Sequence, residues 1–295
     1  MLTSAPFLAL VTAFCIGTAD FSTHYPLRHV KALPGAFFGL CFQMVTALLI
    51  LLAMGGQWGI SDWRGPVYFF LAGILHPGAF YVLLLISVDR LGPARAITLK
   101  GTSPLWGVAI AMIFLGERPN LSIYLGLFLV AFGVMYLSSE KGGRASLSRN
   151  LAWPLIAAFF SGLAPNLAKT ALRYIDSPFL GVVFAVAGGL ATLLVSNTLM
   201  SGRHEGKFWM WAYPWKRVVL FAPLGVLAGV GFMTYYSALK VGTVAVVIPL
   251  VQTAPFFAIV LSRLLIQRHE GVNVRLVVSA AAVVLGAFLI TTGRG

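Results

Sequence analysis

Apolar residues along this chain come in long runs, separated by short polar stretches that carry Gly, Pro or charge. A helix needs about 20 mostly apolar residues to cross a bilayer. Ten such runs can be marked, on 5–25, 34–55, 67–88, 94–115, 121–138, 151–173, 178–200, 217–239, 243–266 and 273–292. Nothing alternates with the period of two that a membrane-spanning strand requires, so a β-barrel is excluded. Most connections are short, which predicts one compact bundle of ten transmembrane helices. The first run, "MLTSAPFLALVTAFCIG", has no Lys or Arg before it; it lacks the pattern of a cleaved leader and is read as a span.

The longest dividing connection is "SSEKGGRASLSRN", Ser138 to Asn150, with five runs on either side. It separates a first unit, 1–138, from a second, 151–295, with 139–150 as linker. The two units repeat. "LGPARAITLKGTSPLWGVAIAMIFLGERPN" and "VGTVAVVIPLVQTAPFFAIVLSRLLIQRHEGVN" share Gly92 with Gly242, Pro104 with Pro255, and Glu117 with Glu270; Gly133 and Gly286 come after them at equal distance. Gly17 and Gly162 are each followed ten residues on by "LRHV" and "LRYI", and Pro34 and Pro178 open the next runs. An odd number of spans per unit sends the second copy into the membrane from the opposite side. The expected fold is therefore all-α, two inverted-topology five-helix repeats around a central cavity, the architecture of secondary transporters.

Composition agrees. The chain is 59% hydrophobic and 10% charged, with a mean hydropathy of +0.90, against about 25% charged residues in soluble domains. The net charge of +13 is scattered singly over loops, which argues against a nucleic-acid partner and for anionic lipid headgroups and control of topology. Loops after the odd-numbered spans hold most of it: Arg28, Lys31, Arg90, Arg95, Lys141, Arg144, Arg149, Arg203, Lys207, Lys216, Arg217, Arg268 and Arg275, with Arg263 close by. The other face has Arg64, Arg118, Arg173, Lys240 and Arg294. The positive-inside rule then makes the first set cytoplasmic and places both termini outside, in a bacterial inner membrane. Trp58 and Trp63 mark one interface, and "KFWMWAYPW" (Lys207 to Trp215) reads as lying along the other. Cys15 and Cys41 fall in apolar runs with no disulfide or zinc spacing. No GxxxxGK[ST] cradle and no metal cluster occurs, so no cofactor is expected.

An ionisable residue at the centre of a span costs at least about 2.5 kcal/mol, faces the bundle interior and marks function. Lys100 stands out, one turn before Pro104 and among Thr98, Gly101, Thr102 and Ser103. Pro104 deprives the Lys100 carbonyl of its usual donor, so free polar groups and a cation share one spot. That suits an anionic solute; the bland alternative is a lysine paired with Asp20 or reaching a headgroup. His76, beside Pro77 and Gly78, is a second donor or a proton carrier. Asp20 and His24, one turn apart on one face, are candidates for proton coupling. Lys169 takes the repeat position of His24. Gln252 and Asn166 would orient a solute, and Trp106, Tyr81, Tyr235 and Tyr236 would wall it. Glu117 and Glu270 fall on opposite sides of the membrane in this scheme, each before the start of the next helix, and read as helix caps rather than a catalytic pair.

The two segments "SPLWGVAIAMIFLGERPN" and "APFFAIVLSRLLIQRHEGVN" resemble the drug/metabolite transporter superfamily, in particular its ten-span proteins built from two EamA-type domains, over nearly the whole chain. The resemblance implies a basket-like bundle with its cavity lined by spans 1, 3, 4, 6, 8 and 9, in a protein that exports amino acids, other metabolites or drugs, or exchanges phosphorylated sugars. The related small multidrug resistance family uses a first-span glutamate for protons and cations; Phe14 and Phe159 stand at that position here. The residues thus point to a secondary transporter of a small organic solute with an anionic group, such as an amino acid, organic acid or phosphorylated compound. An exporter of cationic or neutral amphiphilic drugs and a lipid-carrier flippase remain as alternatives. An intramembrane enzyme is disfavoured, since Ser103 has no base nearby in sequence. Both a monomer and a homodimer fit.

Overall fold

The computed structural model describes residues 4–23, 25–55, 59–138, 149–201, 213–265 and 274–293. Among these residues every regular element is helical; the sole β pairing is one bridge between Ile60 and Ile175. The order is α1 (Ala5–Ser22), α2 (Ala32–Ala53), α3 (Arg64–Gly73), α4 (Phe80–Leu91), α5 (Pro93–Lys100), α6 (Ser103–Ile110) and α7 (Leu121–Ser138). It continues with α8 (Ala152–Ala171), α9 (Pro178–Ser201), the short α10 (Trp215–Val218), α11 (Ala222–Val241), α12 (Val244–Val251), α13 (Ala254–Leu265) and α14 (Val274–Thr292). Wide helical turns at Ile74–Ala79 and Ala111–Leu115 join α3 to α4 and extend α6. Among the described residues, six continuous stretches are long and apolar enough to cross a membrane: Ala5–Arg28, Ala32–Ala53, Arg64–Leu91, Arg95–Leu115, Pro178–Leu199 and Trp215–Val241. Leu121–Tyr136, Val244–Ala258 and Ala281–Thr292 are shorter apolar helices. The protein is an integral, multi-pass membrane protein.

The packing repeats itself. α1 lies against α11 and against α12 and α13; α8 lies against α3 and α4 and against α5 and α6. α2 packs on α11, and α9 on α3. α2 also meets α9, and α7 meets α14. Writing α8 for α1, α9 for α2, α3–α4 for α11, α5–α6 for α12–α13 and α14 for α7 turns this set of contacts into itself.

Close approaches of backbone obey the same exchange. A Cβ on Gly162 would lie 2.6 Å from the Gly107 nitrogen and 2.9 Å from both the Ser103 oxygen and the Trp106 Cβ. A Cβ on Gly17 would strike the Ala254 oxygen and lie 2.8 Å from the Phe257 Cβ and 3.1 Å from the Ala258 nitrogen. Between α7 and α14, a Cβ on Gly133 would come within 2.9 Å of the Ser279 oxygen, and one on Gly286 within 2.7 Å of the Gly126 oxygen. One constant offset carries Gly126, Val130 and Gly133 onto Ser279, Val283 and Gly286. Small residues at these crossings let the helices approach without side chains between them, which is how helices pack in lipid.

Large apolar side chains cover the outside, as they must where the solvent is hydrocarbon. Ile113, Phe114, Leu121 and Phe128 on the α6–α7 side are exposed, as are Val284 and Phe288 on α14. At one end of the bundle four connections are tied together. Ser61 N–H donates to the Tyr174 carbonyl at 2.9 Å, Lys240 reaches the Asp176 carbonyl, and Asn120 bonds the Gly293 carbonyl. At the other end Arg90 stacks over Trp153, 4.9 Å from its ring centre.

Candidate functional site

Two helices are broken in the same manner near the middle of the bundle. Between α5 and α6, Thr102 N–H turns back to the Leu99 carbonyl at 3.1 Å, its hydroxyl donates to the same oxygen at 2.8 Å, and Leu105 N–H reaches the Thr102 carbonyl at 3.0 Å. Between α12 and α13 the three equivalent bonds involve Thr253, Leu250 and Phe256, at 3.2, 2.7 and 2.9 Å. Pro104 and Pro255 come just after each break, where a missing N–H costs a helix nothing. The span of α3 and α4 is interrupted too: His76 is extended (φ −147°, ψ 115°) and is followed by a cis bond to Pro77.

These interruptions surround a central cavity of about 90 Å³, room for several waters. Asp20 and Ile16 reach it from α1, His76 from the α3–α4 turn, Lys100 from the end of α5, Phe232, Tyr235 and Tyr236 from α11, and Gln252 from the second break. Lys100 also holds its ammonium 5.4 Å from the centre of the Phe80 ring, a cation–π contact. Its charge lies close enough to Asp20 and to His76 to interact with both. The His76 ring packs against Phe80 at 4.6 Å and Phe232 at 6.1 Å, and Tyr235 stacks on Tyr236 at 5.7 Å. The arrangement offers a cation, a carboxylate, an imidazole and a carboxamide in one apolar-walled space, where charges interact far more strongly than in water.

Other residues singled out from the sequence lie elsewhere. Trp106 projects to the outside, 41% exposed, edge-on to Phe159 at 5.7 Å. Trp106 comes six residues after Lys100, about 240° further around a helix, so the two do not share a face. Asn166 is buried and spends its amide on the backbone, donating to the carbonyls of Gly107 (3.1 Å) and Gly162 (2.9 Å), where it joins α8 to α6. Ser103 accepts a hydrogen bond from the Gln252 amide, so the two broken helices are linked across the bundle. Thr102 stabilises its own break, and Tyr81 packs against Phe80 behind the cavity, within electrostatic reach of Asp20. His24, Trp58 and Glu270 lie outside the described residues, as does most of the Lys207 to Trp215 segment. Of that segment, Tyr213 packs edge-on to Phe38 at 6.0 Å and Trp215 is exposed.

Glu117 corrects the expectation attached to it. It caps not the next helix in the chain but α12 of the other half, accepting from the N–H groups of Val244 (2.7 Å) and Ala245 (2.8 Å). Lys169 likewise serves the backbone, donating to the carbonyls of Leu239 and, at 2.8 Å, Gly242. Sequence reasoning missed Ile16, Ser161, Ala164, Pro165 and Phe232 as cavity residues. The repeat held the missing signal, since the offset from Gly17 to Gly162 carries Ile16 and Asp20 onto Ser161 and Pro165, and all four line the cavity.

Comparison with known proteins agrees with this architecture. The model of the EamA-like transporter family matches twice, over residues 3–139 and 149–292. A solved structure described only as the crystal structure of a protein superposes with a TM-score of 0.77 at 17% identity, covering 98% of this chain and 96% of its own. No curated protein matches. At that identity the solved structure speaks for the fold alone, but the two family matches take in almost all of the sequence. This chain belongs to the EamA-like transporter family and is a membrane transporter.

Proposed function

We propose that the protein moves a small organic metabolite bearing an anionic group, by alternating access through the central cavity. The observation that carries this reading is Lys100 in the wall of that cavity beside Asp20, His76 and Gln252. Burying an ammonium is costly unless something compensates it. Asp20 supplies part of that compensation, and an arriving carboxylate, phosphate or sulfonate would supply the rest. In this scheme Lys100 binds the anion, His76 donates a second hydrogen bond, Gln252 orients the solute from its anchor on Ser103, and Tyr235, Tyr236 and Phe232 contact its body. Asp20 is the group through which proton movement would couple to the solute. Asn166, Thr102 and Ser103 position the two breaks, and Tyr81 backs the charged cluster.

The membrane arrangement that fits is ten spans in two inverted repeats, 1–138 and 151–295 joined by 139–150, with both termini outside. The self-exchanging packing, the matched glycine contacts and the gathering of residues 59–62, 117–120, 172–177, 240–243 and 293 at one end support it. The test is ligand-induced thermal stabilisation of purified protein, using acidic, zwitterionic and cationic metabolites, with and without Lys100→Gln. Stabilisation by an acidic compound that vanishes in Lys100→Gln supports the reading. Stabilisation by cationic amphiphiles that survives the substitution instead favours a drug exporter.

A further inference from the structure

α12 begins at Val244 with Thr243 in the N-cap position, yet the Thr243 side chain makes no capping bond. The cap comes from Glu117, on the connection between α6 and α7 in the first half, whose two carboxylate oxygens take the first two N–H groups of the helix. Immediately upstream, α11 ends at Val241, and its last carbonyls receive the ammonium of Lys169 from α8. The α11–α12 junction is thus held between an anion at one helix start and a cation at one helix end, each the sign its dipole favours. The Glu117 and Lys169 charges also interact with each other.

This cluster sits one helical turn beyond the cavity wall along two helices. Ile248 of α12 and Pro165 of α8 line the cavity; Ala245 lies three residues before the first and Lys169 four after the second. A turn is about 5.4 Å. A rocking motion that parts the first-half connection from α12 would break both Glu117 bonds.

We propose that Glu117 and Lys169 form a latch that keeps this end of the cavity shut, and that its release is the opening step toward that side. The latch rests on alternating access but not on the identity of the solute, so its labelling test uses no solute. In protein carrying Cys15→Ala and Cys41→Ala, Ser161→Cys places one thiol on the cavity wall. A membrane-impermeant maleimide is then added to either face of proteoliposomes. Charge-assisted hydrogen bonds of this kind are worth enough that losing them should raise labelling from the latch side on the order of tenfold in Glu117→Gln and in Lys169→Met. The double variant should be no faster than the faster single, because the two act on one junction.

Glu117→Gln combined with Thr243→Asp separates a latch from a plain cap. Aspartate at the N-cap restores local capping without restoring the tie to the first half. The latch predicts recovered thermal stability with labelling still fast; a purely structural Glu117 predicts that both return to the parent values. Unchanged labelling in folded Glu117→Gln would overturn the proposal. If Glu117→Gln alone fails to fold, the combined variant gives the same decision. Solute-induced stabilisation lost in Lys100→Gln but kept in Glu117→Gln would identify the latch and the binding site as separate parts.

Discussion

The two broken helices share their hydrogen bonds, their threonine and their proline, but not their chemistry. At the first break the cavity receives Lys100 where the second offers Val251; the second offers Gln252 where the first has Gly101. The scaffold is therefore symmetric and the charge is not. The helix crossings and the breaks repeat, whereas the residues that face the cavity differ, and this separates architecture from recognition more cleanly than either half could alone.

The largest effect expected is on the shared part. Gly17→Leu and Gly162→Leu each push a side chain into backbone across a helix crossing. Overpacking of that kind costs about 1–3 kcal/mol or more, so both variants should lose most of their folded protein in a detergent melting assay, to a similar degree. A tolerant site in one half only would break the equivalence. Next comes Lys100→Gln, which should weaken binding of the anionic solute by at least about tenfold, the worth of a charged hydrogen bond, while melting stays within a few degrees of the parent. The exchange Lys100→Val with Val251→Lys sharpens this: if position in the cavity matters more than which half supplies it, part of the binding returns.

A smaller effect belongs to Gln252→Leu. It leaves Ser103 without its partner and should cost about 1 kcal/mol of stability, together with a loss of solute discrimination measured by competition. Smallest are Thr102→Val and Thr253→Val, each removing one local hydroxyl-to-carbonyl bond. Both should lower the melting midpoint slightly and equally, by no more than about 1 kcal/mol. Unequal losses would mean that the two breaks carry different loads.

Much of the architecture was legible in the residues. Length and apolarity mark the runs, and the spacing of Gly17, Pro104, Glu117 and Gly133 against their later copies sets the register in which the halves meet. That legibility has a physical basis, because small residues at a helix crossing and proline after a break act locally. Asp20, His76, Lys100 and Gln252 stand out by the cost of polar groups in apolar runs. Trp106 and Asn166 stand out in the same way, but sequence cannot tell which face of a helix meets lipid, as at Trp106, or which polar group is taken up by a neighbouring backbone, as at Asn166. Glu117 was right in kind and wrong in partner: a carboxylate announces that it will cap something, but which helix start comes within reach is set by tertiary packing. Phe232 and Ile16 carry no local signal, since an apolar residue facing a cavity looks like one facing lipid.

The contacts of α7 with α14 and of α2 with α9 join equivalent elements to each other, as the patches of a two-fold dimer do. Two separate copies of one half assembled this way would each contribute the same residue at the break. A lysine there would then appear twice, and two ammonium groups would oppose one another in a small apolar-walled chamber, where their repulsion is screened less than in bulk water. Joining the copies into a single polypeptide removes that constraint. Halves free to differ in sequence can present one amine on one wall and a valine at the matching place on the other, and so receive a guest in a single defined orientation.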